Sequence, residues 1–187
     1  DKATVHSCVQ LSAGGTVEAE LCFRGKTVAK CSCVADTQAE LTLEAENPAL
    51  WYPVGYGQQN MYALHIRLLD ENGQILDSKT RKIGLRRSRM VMNEGSWRLP
   101  NKFPKSRSDA PATLEINGRR IFAKGSNWVN ARLYPGSVTE QDYRQLLQLV
   151  RDGNMNILRI WGGGFVNHEA FFDLCDEMGI MVWQEFP

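Results

Sequence analysis

Residues 156–164, N-I-L-R-I-W-G-G-G, put a strong base, a large ring and bare backbone side by side. Ile157, Leu158 and Ile160 are a short apolar run of the kind that forms a buried strand in a parallel sheet. Arg159 stands inside that run, and a guanidinium is almost never buried without a partner. Trp161 closes the run. Gly162, Gly163 and Gly164 follow, and their lack of side chains lets something approach closely. A parallel strand that ends this way forms part of a ligand site at its C-terminal end. The plain alternative is an interior Arg paired to a structural carboxylate above a tight strand-to-helix turn.

The elements around this stretch follow from spacing. Thr113–Ile116 and Arg120–Ala123 flank Asn117-Gly118, a hairpin signal. G-S-N-W at 125–128 comes next. Thr139 is placed as a helix N-cap, with Asp142 three residues on in a near capping box. Tyr143, Leu146, Leu147 and Val150 then recur at three and four, which predicts a helix. A second helix opens at Asn167 or His168, carries Phe171, Phe172, Leu174, Cys175 and Met178, and stops at Gly179. Residues 180–183 are a further apolar strand, ending beside Glu185. Strand, helix, strand, helix, strand with short links predicts parallel strands joined by right-handed crossovers. A closed eight-fold barrel needs roughly 250 residues, so residues 111–187 are expected to be the start of a barrel in a longer protein. The absence of an initial Met agrees with that expectation.

Before residue 92 the period is two. Val17, Ala19, Leu21 and Phe23 alternate with polar neighbours, as do Leu41, Leu43 and Ala45, and the run at 61–69. Gly14-Gly15, Arg24-Gly25, Asp36-Thr37 and Asn72-Gly73 punctuate the runs. Asn-Gly readily supplies the positive φ angles of a type I′ turn. About seven short strands without a helix predict a two-sheet, immunoglobulin-type sandwich over 1–92. Residues 93–110 lose all period and collect Pro100, Pro104, Lys102, Lys105 and Arg107, which reads as a linker. Trp51 and Tyr52 either stack on a sugar or pack inside, and packing is the reading their type favours. His6 and His65 are ordinary strand residues.

The totals exclude several classes. Lys plus Arg number 22 and Asp plus Glu 21, for a net charge of +1. That balance gives no nucleic-acid or membrane-surface signature. The basic run Lys79, Arg81, Lys82, Arg86, Arg87 and Arg89 reads as the wet side of an edge strand. No apolar run approaches the roughly 20 residues that span a bilayer. Five cysteines, Cys8, Cys22, Cys31, Cys33 and Cys175, are an odd count without metal-type spacing. They are expected to be free, apolar and buried, which favours a reducing, cytoplasmic-type compartment.

Three stretches together resemble glycoside hydrolase family 2, and most closely its β-mannosidase branch. They are G-S-N-W at 125–128, N-I-L-R-I-W-G-G-G at 156–164 and F-F-D-L-C-D-E-M-G-I-M-V-W-Q-E-F-P at 171–187. L-W-Y-P-V-G-Y-G-Q-Q at 50–59 looks like part of the immunoglobulin-like domain that precedes the barrel in that family. The resemblance implies a retaining exo-β-glycosidase acting on terminal β-linked sugars. Both of the family's catalytic Glu residues are expected beyond Pro187, so the 187-residue chain should be inactive alone. What it implies here is one side of the sugar pocket: Asn127, Trp128, Arg159, Trp161, Gly162 and Glu185 as substrate-binding residues. Arg159 is implied to contact the nucleophile carboxylate or the sugar. In β-galactosidase relatives the neighbourhood of Glu185 contributes to a magnesium site. The accompanying His is missing here, so no metal and no cofactor is expected. The implied partner is a β-linked oligosaccharide or glycoside, and exposed barrel edges offer a route to homo-oligomers. V-N-A-R at 129–132 departs from the Pro-Ala-Asp of several mannosidases. The sugar is therefore open among mannoside, glucosaminide, galactoside and glucuronide. The competing reading is a non-catalytic carbohydrate-binding or structural sandwich module.

Overall fold

A computed structural model describes residues 1–96 and 110–186. Its contacts divide the chain into two compact units: 1–49 with 60–85, and 50–59 with the residues from 86 onward. Most of the expected linker falls on 97–109, outside the described residues.

The first unit is built from alternation. It contains β1 (Lys2–Gln10), β2 (Gly15–Phe23), β3 (Lys26–Ala35), β4 (Gln38–Glu46), β5 (Met61–Leu69) and β6 (Ile75–Gly84). One antiparallel sheet has the order β3-β2-β5-β6, and the other is the pair β1-β4. In β4 every second residue is buried, because successive side chains point to opposite faces. Val17, Ala19 and Leu21 of β2 meet Leu41, Leu43 and Ala45 of β4 and Tyr62, Leu64 and Leu68 of β5 in one apolar core. Burying each large aliphatic there stabilises the fold by about 1.5–3 kcal/mol.

The turns follow their residues. Arg24 and Gly25 both adopt positive φ, as a type I′ hairpin requires. At Asn72-Gly73 only Gly73 does so. The Asp70 carboxylate accepts from the N–H groups of Asn72 and Gln74, each at 2.8 Å. That side-chain bond supports a longer loop, and the register shifts at Leu68/Leu69.

The second unit starts with an antiparallel sheet of β7 (Ser88–Met92), β8 (Ala112–Ile116) and β9 (Arg119–Ile121). β7 directly follows the sandwich strands in the chain, yet its hydrogen bonds go to β8. The residues just before it explain this. The Arg86 guanidinium lies 4.4 Å from the Trp51 ring centre and bonds Asp176 at 2.7 Å. The Arg87 N–H donates to Asn117 Oδ1 at 2.8 Å. Trp51 itself is buried and donates Nε1–H to the Asp176 carbonyl. The basic run is thus not one wet face: Arg86 is stacked and ion-paired, and Arg89 pairs with Glu115 at 3.4 Å.

A parallel sheet follows, with β10 (Gly125–Trp128), β11 (Ile157–Ile160) and β12 (Met181–Gln184) in that order. α1 (Glu140–Asp152) links the first pair and α2 (Glu169–Met178) the second. Thr139 caps α1: Oγ1 accepts from the Asp142 N–H at 3.2 Å, and Asp142 Oδ2 accepts from the Thr139 N–H at 2.9 Å. The Arg132 guanidinium, the Thr139 N–H and the Thr139 hydroxyl, all donating to the Asp142 carboxylate, hold that carboxyl down at about 2. Gly179 ends α2 at φ 79°. Leu158 and Ile160 pack with Tyr143, Leu147, Phe171, Leu174 and Met178 in a second core. All five cysteines are free, but Cys8 is exposed, contrary to the expectation of burial. It lies in β1, where every second side chain faces water.

Candidate functional site

The parallel sheet has two unlike faces, and β11 shows why. Its burial alternates, with Leu158 and Ile160 fully enclosed by the helices and Ile157 and Arg159 on the other side. Register then fixes a row across the sheet. Asn127 is opposite Arg159, and Arg159 is opposite Trp183. Directly paired residues share a face, so these three side chains project together, away from the helices.

Arg159 is the centre of that row. Its Nε donates to Glu185 Oε1 at 2.7 Å, and its NH2 group reaches the same oxygen at 2.5 Å. NH1 donates to Asn127 Oδ1 at 3.0 Å. The guanidinium carbon stands 5.8 Å from the Trp183 ring centre, within cation–π range. Glu185 Oε2 accepts from the Gly162 backbone N–H at 3.2 Å. Both oxygens of Glu185 are therefore engaged, and its carboxyl is held below the usual range, mainly by the Arg159 bond. The bland reading of an Arg with a carboxylate partner is thus true of this site. The pair is still not interior: both side chains keep about a third of their surface open, at 38% and 31%. The carboxylate fixes the base at the strand ends, where it faces solvent.

The glycine run has a local cause. A Cβ on Gly163 would lie 2.4 Å from the Trp161 ring, because that indole folds back over its own turn. A Cβ on Gly164 would lie 3.2 Å from Asn130 Oδ1, which accepts from the Phe165 N–H at 3.0 Å. The bare backbone at 163 therefore admits a ring of the same strand end. Trp161 stays 46% exposed beside it.

Five of the six expected residues gather at these strand ends: Asn127, Arg159 and Glu185 in one bonded network, Gly162 through its N–H, and Trp161 on the adjoining turn. Trp128 is placed differently. It is one residue out of step with Asn127, so it faces the helices, is 9% exposed, and lies 5.0 Å from Phe171 between ring centres. Its Nε1–H donates to Asn167 Oδ1 at 3.2 Å, tying β10 to the start of α2. Trp128 supports the site from behind.

Two contributors escaped the sequence reading. Trp183 could have been found from the register of three parallel strands, since it shares the row of Arg159. Asn156 is fully buried and makes four bonds: its Oδ1 accepts from Lys124 N–H, its Nδ2 donates to the Phe122 carbonyl, its own N–H donates to the Lys124 carbonyl, and its carbonyl accepts from Met181 N–H. It sets where β11 begins. Only its odd polarity before an apolar run hinted at this. On the same sheet face, Ile157, Met181 and Trp183 line an apolar concavity of about 810 Å³ that also touches Ile116, Ile121 and Phe122. Among the described residues no group of three His, Cys, Asp or Glu is placed to hold a metal ion.

Comparison with known proteins bears on the family and the fold. Residues 3–86 match the family model for glycosyl hydrolases family 2. The chain is 32% identical over 194 residues to Beta-mannosidase B of Thermothelomyces thermophilus, covering 100% of this chain and 22% of that protein. It is 32% identical to the Aspergillus terreus protein of the same name, again over 100% of the chain and 22% of the relative. The crystal structure of a beta-D-mannosidase from Dictyoglomus thermophilum superposes with a TM-score of 0.77 at 31% identity, covering 98% of this chain and 22% of that one. Beta-glucuronidase 3 of Bacteroides uniformis gives a TM-score of 0.76 over 100% of this chain and 21% of that one, and at 20% identity shares the fold. The chain thus spans about a fifth of the length of the relatives it matches.

Proposed function

We infer, because this chain belongs to glycoside hydrolase family 2, that it serves as part of a retaining exo-β-glycosidase of the β-mannosidase kind. In this reading 1–92 is centred on the immunoglobulin-like sandwich, 93–110 connects, and 111–187 begins an eight-fold barrel. The observation that carries it is the row Asn127, Arg159 and Trp183 at the C-terminal ends of parallel strands, facing away from the helices. In a barrel that face is the inside, and the C-terminal end is where its sites form.

The work of these residues is binding and electrostatics. Arg159 supplies a fixed positive charge; three of its five N–H donors are used by Glu185 and Asn127. The remaining two are available to a sugar hydroxyl or to the nucleophile carboxylate, which gives up negative charge as it bonds the reacting carbon and regains it as that bond breaks. Glu185 and the Gly162 N–H keep the guanidinium from swinging, so little reorganisation is needed when the transition state forms. Trp161 and Trp183 offer apolar faces against which a pyranose ring can lie. The network holds one carboxylate. A retaining mechanism needs two, about 5–5.5 Å apart, so the reacting pair comes from elsewhere in the longer protein.

The test is direct. The 187-residue chain is expected to leave an aryl β-mannoside unhydrolysed, while the longer protein that contains it releases mannose with retained configuration. Turnover by the 187 residues alone would overturn the division of labour. No turnover by the longer protein on any aryl β-glycoside would overturn the enzyme reading.

A further inference from the structure

Two asparagines of this chain are followed by glycine, Asn72-Gly73 and Asn117-Gly118. Both pairs sit in hairpin turns, one between β5 and β6 and one between β8 and β9. This dipeptide has chemistry of its own. A glycine has no side chain to shield its backbone nitrogen, so that nitrogen can reach the side-chain carbonyl carbon of the asparagine before it. The structure treats the two pairs in opposite ways.

Asn117 is locked. Its Oδ1 accepts from the Arg87 N–H at 2.8 Å, and its Nδ2 donates to the Trp51 carbonyl at 2.9 Å. Its own N–H donates to the Arg87 carbonyl at 2.9 Å. Both ends of the side-chain amide are engaged, so it cannot turn toward Gly118 without breaking two bonds. Asn72 is open. It is exposed, as are all of residues 71–80. Among the described residues it bonds through its backbone N–H, to Asp70 Oδ1 at 2.8 Å, and nothing holds its side chain. The Gly73 N–H donates to the Asp70 carbonyl at 3.1 Å, and a Cβ on Gly73 would meet nothing within 4 Å. One exposed backbone bond must open before that nitrogen can act, and exposed turns open at little cost.

We propose that Asn72 is a site of spontaneous modification, where the side-chain amide becomes a carboxylate and part of the product is an isoaspartyl link. The Gly73 nitrogen gives its proton to solvent and attacks Asn72 Cγ. A bond forms between Cγ and that nitrogen, the bond from Cγ to Nδ2 breaks, and Nδ2 takes up a proton and leaves as ammonia. Water then opens the cyclic imide. Addition at Cγ gives an aspartyl residue. Addition at the backbone carbonyl carbon gives an isoaspartyl residue, whose chain runs through the side-chain carbon and leaves the α-carboxylate free. Nothing is oxidised or reduced, and water is the co-reactant. The new charge falls beside Asp70 and Glu71. The isoaspartyl link also lengthens a turn that the Asp70 carboxylate holds through Asn72 and Gln74. The free α-carboxylate is the group that an isoaspartyl carboxyl methyltransferase would recognise.

The test ages the 187-residue chain in a mildly alkaline buffer free of ammonia, then cleaves it with trypsin for mass spectrometry. Peptide 68–79 reports on Asn72 and peptide 108–119 on Asn117. Conversion at Asn72 is expected to be at least about tenfold faster, since two hydrogen bonds of ordinary strength must break before Asn117 can react. An isoaspartyl carboxyl methyltransferase with a labelled methyl donor should label peptide 68–79 and leave peptide 108–119 bare. Asn72→Gln, whose longer side chain closes the ring far more slowly, should remove that label without moving the melting midpoint. In guanidinium chloride, with the chain unfolded, the two sites should convert at similar rates. Equal rates in the folded chain, or Asn117 ahead of Asn72, would overturn the proposal. So would a difference that survives unfolding, because local sequence and not the two turns would then be its cause.

Discussion

The two units handle strands in opposite ways. In the sandwich, the strands are long, antiparallel and amphipathic, and each side chain's role follows from its parity. In the second unit, β10, β11 and β12 are four residues each, and both of their faces matter. One face is sealed by helices and carries stability. The other ends in Asn127, Arg159 and Trp183, the row proposed to meet the sugar. The lesson is that a long strand buries its meaning in its middle, whereas a short parallel strand keeps it at the tip.

Core truncations should separate the units most clearly. Phe171→Ala removes a fully buried ring of the helix-backed core, and about 3–5 kcal/mol of stability should be lost. Leu21→Ala in the sandwich should cost about 2–5 kcal/mol. Denaturant unfolding followed by unit-specific probes should show each substitution moving mainly its own unit's transition. If both transitions move equally, the units fold as one and the comparison fails.

The glycines give a smaller, sharper contrast. Gly25→Ala strains a positive-φ turn with open space around it, a cost of about 1–2 kcal/mol. Gly163→Ala collides with the Trp161 ring, and overpacking of this kind costs about 1–3 kcal/mol. Only the second should shift indole fluorescence. An unchanged spectrum would mean that Trp161 does not rest on that backbone. Below these comes the helix cap: Thr139→Ala should cost about 1 kcal/mol, read from thermal melting of the second unit.

The smallest effect is on acid stability. Asp142 drops from 3.8 in the unfolded chain to about 2 when folded. A lowered folded value means that its contribution is complete above 3.8 and is lost as pH falls toward about 2. Glu185 is lowered for the same kind of reason and follows the same sign, with its contribution complete above 4.5. Asp142→Asn and Glu185→Gln should each flatten the stability–pH curve on the acid side only. The change should be slight, since both groups are near solvent. A flattening near neutral pH would contradict the assignment.

Much of this architecture was legible beforehand, for physical reasons. Period-two runs marked β2, β4 and β5 because half-buried strands must alternate. Thr139 and Asp142 announced α1 because orphan N–H groups need acceptors. Gly179 announced the end of α2. The misjudged parts depended on long-range partners. Ser88–Met92 follows straight on from the sandwich strands, but Arg86 and Arg87 are committed to Trp51, Asp176 and Asn117, residues far away in sequence. At the site, Arg159, Trp161, Gly162, Asn127 and Glu185 stood out by type. Trp128 and Trp183 are both tryptophans at strand ends, and only the register tells which faces the helices. Cys8 looked apolar, and its parity in β1 turned it outward.

The most direct measurement is kcat/KM of the longer protein on an aryl β-mannoside with Arg159→Lys, set against Arg144→Lys on the outer surface of α1. A lysine keeps the charge but cannot hold Glu185 and Asn127 through one planar fork. The site residue should lose on the order of 100-fold, as misplacement by about an ångström does, while Arg144→Lys should change little. Equal, unchanged kcat/KM in both variants would contradict the claim that Arg159 faces the sugar.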